Sequence, residues 1–358
     1  MIVALVVAIL TKFTLIPLMF IAFALGLWRG PRLLASVLIP VAIYCGIFAS
    51  GQFQGQSVSP EKVEAIAGKN FTRQLLPAVN MAARLPWPTQ FVDGIGYISG
   101  NLHGDGFEGY MLGKKINGWT PTYFPFAWLL KFPIPLQLLT LAGLAGFLVR
   151  LFKRQASSAE VFIWGLGLLL FGLAVCSNFH IGFRHVLPVL PLLILGGGFT
   201  LERLKAWRLS LAAAMIWLTF SSLWVYPQGI SYFNEWIGGP KNGWKYLADS
   251  NVDWGQNYPE MAAYLKRSGI RDARAFLFSF DNPWHYMEDG TLSPQPWPAP
   301  GTLPPGQHYR PVQGTYVISV NLLSGLLMPA GYEDYLAEFR HLTPVASAGY
   351  SILIYKID

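Results

Sequence analysis

Six long, predominantly apolar runs, at 3–28, 33–49, 134–152, 161–176, 186–201 and 209–226, constrain this chain more than any other feature. Crossing a bilayer takes about 17–25 apolar residues wound into a helix, because lipid offers no partner to an unpaired backbone group. Each run meets or approaches that length. A composition of 53% hydrophobic and only 13% charged residues, with a mean hydropathy of +0.38, points the same way. The expected fold is an α-helical polytopic membrane protein with about six transmembrane helices and a C-terminal extracytoplasmic α/β domain. The boundaries are 1–226 for the transmembrane region, including an outward loop at 52–123, and 227–358 for the domain beyond it.

Orientation follows from the short loops, since lysine and arginine collect on the cytoplasmic side. Arg29 and Arg32, then Arg150, Lys153 and Arg154, then Arg203, Lys205 and Arg208 fall in alternate connections. Those connections face inward, which puts the loop at 51–123, the loop at 177–185 and everything after Tyr226 outside. The expected location is the plasma (inner) membrane. The formal charge of +7 reflects this bias, and no basic stripe interleaved with aromatics suggests a nucleic acid partner. The same count places Met1 outside without a basic leader, so the expectation is that further sequence lies upstream. Lys12, inside the first run, is a candidate intramembrane site or a snorkelling side chain. Cys45 and Cys176 show neither a disulfide framework nor metal-ligand spacing.

Two outward stretches place cations at the threshold of apolar helices. In "GFRHVLPVLP" Arg184 and His185 precede the fifth run, and Pro188 and Pro191 loosen its first turns. A guanidinium offers phosphate a planar fork of donors and stays charged when partly desolvated. Lys131 sits between Trp119, Tyr123, Phe124 and Trp128 on one side and Pro133 and Pro135 on the other. Those rings read as a headgroup-level aromatic belt, and the lysine as a point charge for a lipid phosphate. Arg184, His185 and Lys131 are therefore the candidate donor-phosphate residues, beside the plainer reading that they anchor the protein to generic membrane lipids.

Beyond Tyr226 no run is long enough to span. An amphipathic helix at 258–266, strands at 275–280, 316–320 and 351–357, and a helical stretch at 332–339 suggest a small α/β domain. Within it "LADSNVDWGQN" concentrates Asp249, Asn251, Asp253, Trp254 and Gln256, residues able to hold sugar hydroxyls and stack on a sugar face. Local turns and helix capping account for the same residues.

Four separated stretches, in order, resemble a known family: "LTKFTLIPL", "EGYMLGKKINGWTPTYFPFAWLLKFPIPL", "GFRHVLPVLPLL" and "YFNEWIGGPKNGWKYLADSNVDWGQN". The chain resembles the membrane glycosyltransferases of the GT-C superfamily, bacterial relatives of protein O-mannosyltransferase and aminoarabinose transferase. The resemblance implies transfer of a sugar from a polyprenyl-phosphate donor to an acceptor on the extracytoplasmic face, with Arg184 and Lys131 meeting the carrier phosphate. A divalent metal ion is the one cofactor it admits. The family's acidic catalytic motif, in a first outward loop, has no counterpart, and Asp93, Asp105 and Glu108 do not match it. The catalytic residue is therefore unassigned, and a separately encoded N-terminal half is an expected partner. The alternative is a non-catalytic polytopic protein, a carrier-binding scaffold or transporter; no internal repeat of the transporter kind is present.

Overall fold

The structure is a computed structural model that describes residues 84–86, 88, 93, 107–278, 282–287, 290–295 and 304–358. The chain divides into two compact units, Met1–Gly106 and Phe107–Asp358, and nearly all described residues belong to the second. The runs at 3–28 and 33–49, and Lys12 with them, lie outside the described residues.

The second unit opens with an antiparallel hairpin of β1 (Gly109–Met111) and β2 (Lys114–Ile116), followed by a short helix, α1 (Tyr123–Lys131). Four helices long and apolar enough to cross a membrane come next: Ile134–Phe152, Ser158–Val175, Phe183–Leu201 and Trp207–Val225. They coincide with the last four apolar runs to within a few residues. We label them α2, α3, α4 and α5; α4 proper covers Leu190–Leu201 and is entered through a 3-10 turn at Phe183–Val189. Pro188 lacks an N–H and cannot join an i→i−4 ladder, which favours the tighter turn that carries Arg184 and His185.

Local chemistry sets the ends of these helices. Pro135 stands in the first turn of α2, where a missing N–H costs nothing. Ser157 and Glu160 form a reciprocal capping box at the start of α3. Glu160 is fully buried, and one of its oxygens also takes Arg150 Nη2 at 2.6 Å and Nε at 2.7 Å, tying α2 to α3. Helices α2 and α4 meet through glycines. A β-carbon on Gly143 would lie 2.5 Å from Gly197 Cα, so the two backbones touch where side chains would hold them apart.

After α5 the chain winds through short 3-10 turns to α6 (Tyr258–Arg267) and a five-stranded mixed sheet. Its strands are β3 (Ala273–Phe276), β4 (Leu292–Pro294), β5 (Gly314–Ser319), β6 (Ala346–Ala348) and β7 (Ile352–Ile357), in the order β4-β3-β5-β7-β6. Strand β3 is parallel to β4 and β5, while β7 is antiparallel to β5 and β6. Two short helices, α7 (Val320–Leu323) and α8 (Ala337–Arg340), fill the β5–β6 connection. The period-2 alternation of a strand divides each side chain set between two cores. Val317, Ile352 and Ile354 pack under Tyr258, Met261 and Leu265 of α6. Tyr316, Ile318, Leu353 and Tyr355 face the other way.

That second face joins a cluster that also contains Tyr123, Phe124, Leu130, Phe147, Trp164 and Phe233. The change from long apolar helices to sheet near 226/227 is thus a change in the chain, while packing continues across it. It also corrects one expectation. Tyr123 and Phe124 are fully buried core residues of α1, whereas Trp119 is 65% exposed. Tyr123, Ala127 and Leu130 share one buried helical face, a use of aromatic residues that composition does not distinguish from an interfacial belt.

Candidate functional site

The 3-10 turn that opens the α4 span and the loop at 249–256 are held together by a set of short contacts. Ser250 Oγ donates to the Ile181 carbonyl, and the Phe183 N–H donates to Asn251 Oδ1 at 2.9 Å. Gly182, at φ 127°, lies between them; a β-carbon there would sit 2.7 Å from Ser250 Oγ, so glycine serves both the backbone and the close approach. Asn251 is 1% exposed and works as a hub. Its amide donates to Tyr123 Oη at 3.0 Å and to the Ala248 carbonyl at 3.0 Å.

Arg184 projects from this clamp, half-buried, with its guanidinium carbon 4.5 Å from the centre of the Trp254 ring. A cation held flat on an indole loses rotameric freedom. Asp249 lies in the field of Arg184. Burial pushes its carboxyl above the ordinary carboxylate range, against the opposing pull of Ser250 hydrogen bonds and the Arg184 charge. It also adopts φ 59°, and its N–H is fixed by Asn321 Oδ1 at 2.7 Å. Left-handed backbone at a non-glycine residue persists only where its surroundings enforce it, and such positions concentrate at functional sites.

The other candidates are engaged differently. Lys131, at the end of α1, donates to the Ile230 carbonyl at 2.8 Å and the Asn251 carbonyl at 2.6 Å. Its ammonium is 4.5 Å from the Phe233 ring centre, and burial draws its pKa down to about 7. The His185 ring stacks on Phe179 with 5.9 Å between centroids. Asp253 uses one oxygen on Ser319 Oγ at 2.6 Å and the other on the Gly255 N–H at 2.8 Å, which makes it a brace between this loop and β5. Gln256 closes its own turn, accepting from the Trp254 N–H at 2.7 Å and donating to the Val252 carbonyl at 2.8 Å. Arg184, Asp249 and Trp254 therefore converge; Lys131 and Asn251 support them; His185, Asp253 and Gln256 serve the surrounding frame.

Matches to known proteins give this site no precedent. No protein-family model, curated protein or solved structure matches the chain. A resident metal finds little support in the donor set. Among the described residues no group of three or more His, Cys, Asp or Glu side chains is placed to hold one, and both Asp253 oxygens already accept protein hydrogen bonds.

Three participants were not read from the sequence as site residues. Tyr123 carries the phenol that Asn251 grips, and burial raises its pKa. Asn321 is a lone amide in the otherwise apolar "VNLL" of α7, and that isolation is a readable signal. His180 is fully buried, with its ring 5.1 Å from that of Tyr123, and burial lowers its pKa. Nothing in its spacing marks it. An apolar cleft of about 320 Å³ also opens between α2, α4 and α5, lined by Pro135, Leu139, Gly197, Leu201, Met215 and Trp217 among others.

Proposed function

We propose that the chain carries the donor-phosphate site of a membrane glycosyltransferase, which moves a sugar from a polyprenyl-phosphate carrier to an acceptor on the extracytoplasmic face. One observation carries this reading: the Arg184 guanidinium is stacked on Trp254 and faced by Asp249 at the point where an apolar helix begins. A ligand that is anionic at its head and hydrocarbon behind fits that position. The apolar cleft between α2, α4 and α5 offers a bed for the hydrocarbon.

In the transfer, the bond between the anomeric carbon and the phosphate oxygen breaks as the acceptor hydroxyl oxygen bonds to that carbon and gives up its proton to the surrounding water. Negative charge then builds on the departing phosphate. A guanidinium already oriented by Trp254 and Asp249 stabilises that charge without reorganising during the reaction, and so favours the transition state over the bound donor. The exposed edge of Trp254, 36% accessible, suits the apolar face of a sugar ring.

The test uses the full chain in lipid nanodiscs with farnesyl phosphate as the probe. Arg184→Ala is expected to weaken binding about tenfold or more, the scale of a charge-assisted hydrogen bond, while farnesol binds both proteins equally. Equal binding of farnesyl phosphate by the variant would remove Arg184 from the site. Labelling of His185→Cys from the cytoplasmic side alone would remove the proposed sidedness.

A further inference from the structure

We propose that Lys131 is a positioning residue for Arg184, fixing through Asn251 the stretch of main chain from which the guanidinium projects. The proposal rests on reading Arg184 as the phosphate ligand, and it gives Lys131 a different task from the one its sequence context suggests.

An ammonium has three N–H donors and no acceptor. In Lys131 two are directed at main-chain carbonyls, those of Ile230 and Asn251, at 2.8 and 2.6 Å. The Phe233 ring covers another side at 4.5 Å. A cation so enclosed has little left to offer a phosphate from outside. Burial also lowers its pKa, as expected for a charge shielded from water with no carboxylate partner among the described residues. The carbonyls at the end of α1 do not need this lysine. Gln137 Nε2 takes the Leu129 and Phe132 carbonyls at 2.7 and 2.8 Å, and Asn234 Nδ2 takes the same two at 2.6 and 2.8 Å. The ammonium is free of that duty and reaches across to two segments far along the chain.

Its position determines the consequence. Asn251 gives Lys131 its carbonyl, and with its side chain it holds the Phe183 N–H at 2.9 Å, one residue before Arg184. Ser250, the preceding residue, holds the Ile181 carbonyl. Lys131 thereby anchors the loop that clamps both sides of Gly182. Charge-assisted hydrogen bonds to a main-chain carbonyl fix position more firmly than neutral ones. A hydrocarbon side chain at 131 would take the ammonium from the carbonyl of Asn251, a residue 1% exposed, and leave the loop held only by its rim.

The experiment uses the full chain in nanodiscs and the variants Lys131→Met, Lys131→Arg, Asn251→Ala and Arg184→Ala. Hydrogen exchange at the Phe183 amide, without ligand, reads the tether directly. Exchange is expected to quicken about ten- to hundredfold in Lys131→Met and Asn251→Ala, the factor corresponding to one charge-assisted hydrogen bond, and to return most of the way in Lys131→Arg. Amides of β5 should keep their protection. In parallel, Lys131→Met should weaken farnesyl phosphate while sparing farnesol, and Lys131→Arg should recover the loss.

Unchanged Phe183 exchange in Lys131→Met overturns the proposal, and so does equal loosening of β5, which would mean general instability. Weaker phosphate binding with undisturbed Phe183 exchange also overturns it, since Lys131 would then touch the phosphate itself. If Arg184→Ala leaves farnesyl phosphate binding intact, the carrier reading fails on its own, and the exchange measurement still decides whether the tether exists.

Discussion

Replacing Asn251 by alanine tests the construction of the site most directly, because one side chain there joins three segments. Its Oδ1 accepts from the Phe183 N–H at 2.9 Å, and its Nδ2 donates to Tyr123 Oη and to the Ala248 carbonyl, both at 3.0 Å. The residue is 1% exposed, so water does not readily replace the lost partners. Tyr123 retains a main-chain partner at Gly182, and the Ala248 carbonyl still accepts from the main-chain N–H of residue 251, which leaves the Phe183 N–H as the orphaned group. A buried donor without a partner costs about 1–3 kcal/mol, and that is the expected loss. At about 2–4 °C per kcal/mol for a chain of moderate length, the unfolding midpoint should fall by roughly 2 °C at the least.

The assay is thermal unfolding in nanodiscs, followed by intrinsic tryptophan fluorescence. Asn251→Asp provides an internal check. It keeps the acceptor for Phe183 but puts a carboxyl where a donor faced the Ala248 carbonyl, beside Asp249. A carboxyl buried there has a raised pKa, so its stability is kept at low pH and lost as pH rises through that value. Asn251→Asp should therefore lie close to the wild type near pH 4 and fall well below it near pH 8. A midpoint for Asn251→Ala within about 1 °C of the wild type would refute the reasoning, since no buried polar hub loses its side chain at that cost.

Asp249→Asn should stabilise the protein at pH 7. The folded-state pKa of Asp249 lies above its ordinary value, so the stability tied to its protonated form is present below about pH 3.8 and is lost as pH rises through the folded value. The amide avoids that loss and also tolerates φ 59° better; a gain in midpoint at pH 7 that fades at pH 3 is the expected result, and a loss at pH 7 would contradict it. Gly143→Ala should force α2 and α4 apart and cost about 1–3 kcal/mol, read as lower heat resistance and a reduced yield of cross-links between cysteines placed on the two helices. Glu160→Ala leaves Arg150 buried at 11% exposure without its carboxylate, at a cost of about 3–5 kcal/mol; replacing both residues by leucine should recover much of the loss.

The four helices able to cross a bilayer were legible because that capacity is a matter of length and apolarity, and both are written in consecutive residues. The runs at 134–152 and 209–226 return as Ile134–Phe152 and Trp207–Val225. Strands β5 and β7 were legible for a similar reason, since β-branched and aromatic residues crowd "GTYVIS" and "ILIYKI". Roles that depend on a distant partner were not legible. Lys131 lies 120 positions from Asn251, and no local pattern says that its ammonium ends on a carbonyl there. Tyr123 has the residue type and setting of an interfacial ring, and only the sheet packed against α1 makes it core. In "LADSNVDWGQN" the sequence marked the right loop without sorting its members. Asp253 and Gln256 satisfy backbone and Ser319 inside the fold, while Asp249 and Trp254 meet Arg184.

That sorting follows from where the loop sits. It leaves one core at Leu247 and Val252, both fully buried, and enters another at Tyr258. Between those anchors every polar group must find a partner within the fold or face the opening, because buried groups left unpaired would cost more than the loop can return. Asn251 and Asp253 point inward and are paired; Trp254, between Asp253 and Gln256, turns outward and receives Arg184. The guanidinium thus gains an aromatic bed on the outward-facing indole. A cation oriented by an indole and only partly covered, at the first turn of an apolar helix, is what the proposed anionic, hydrocarbon-tailed donor would meet.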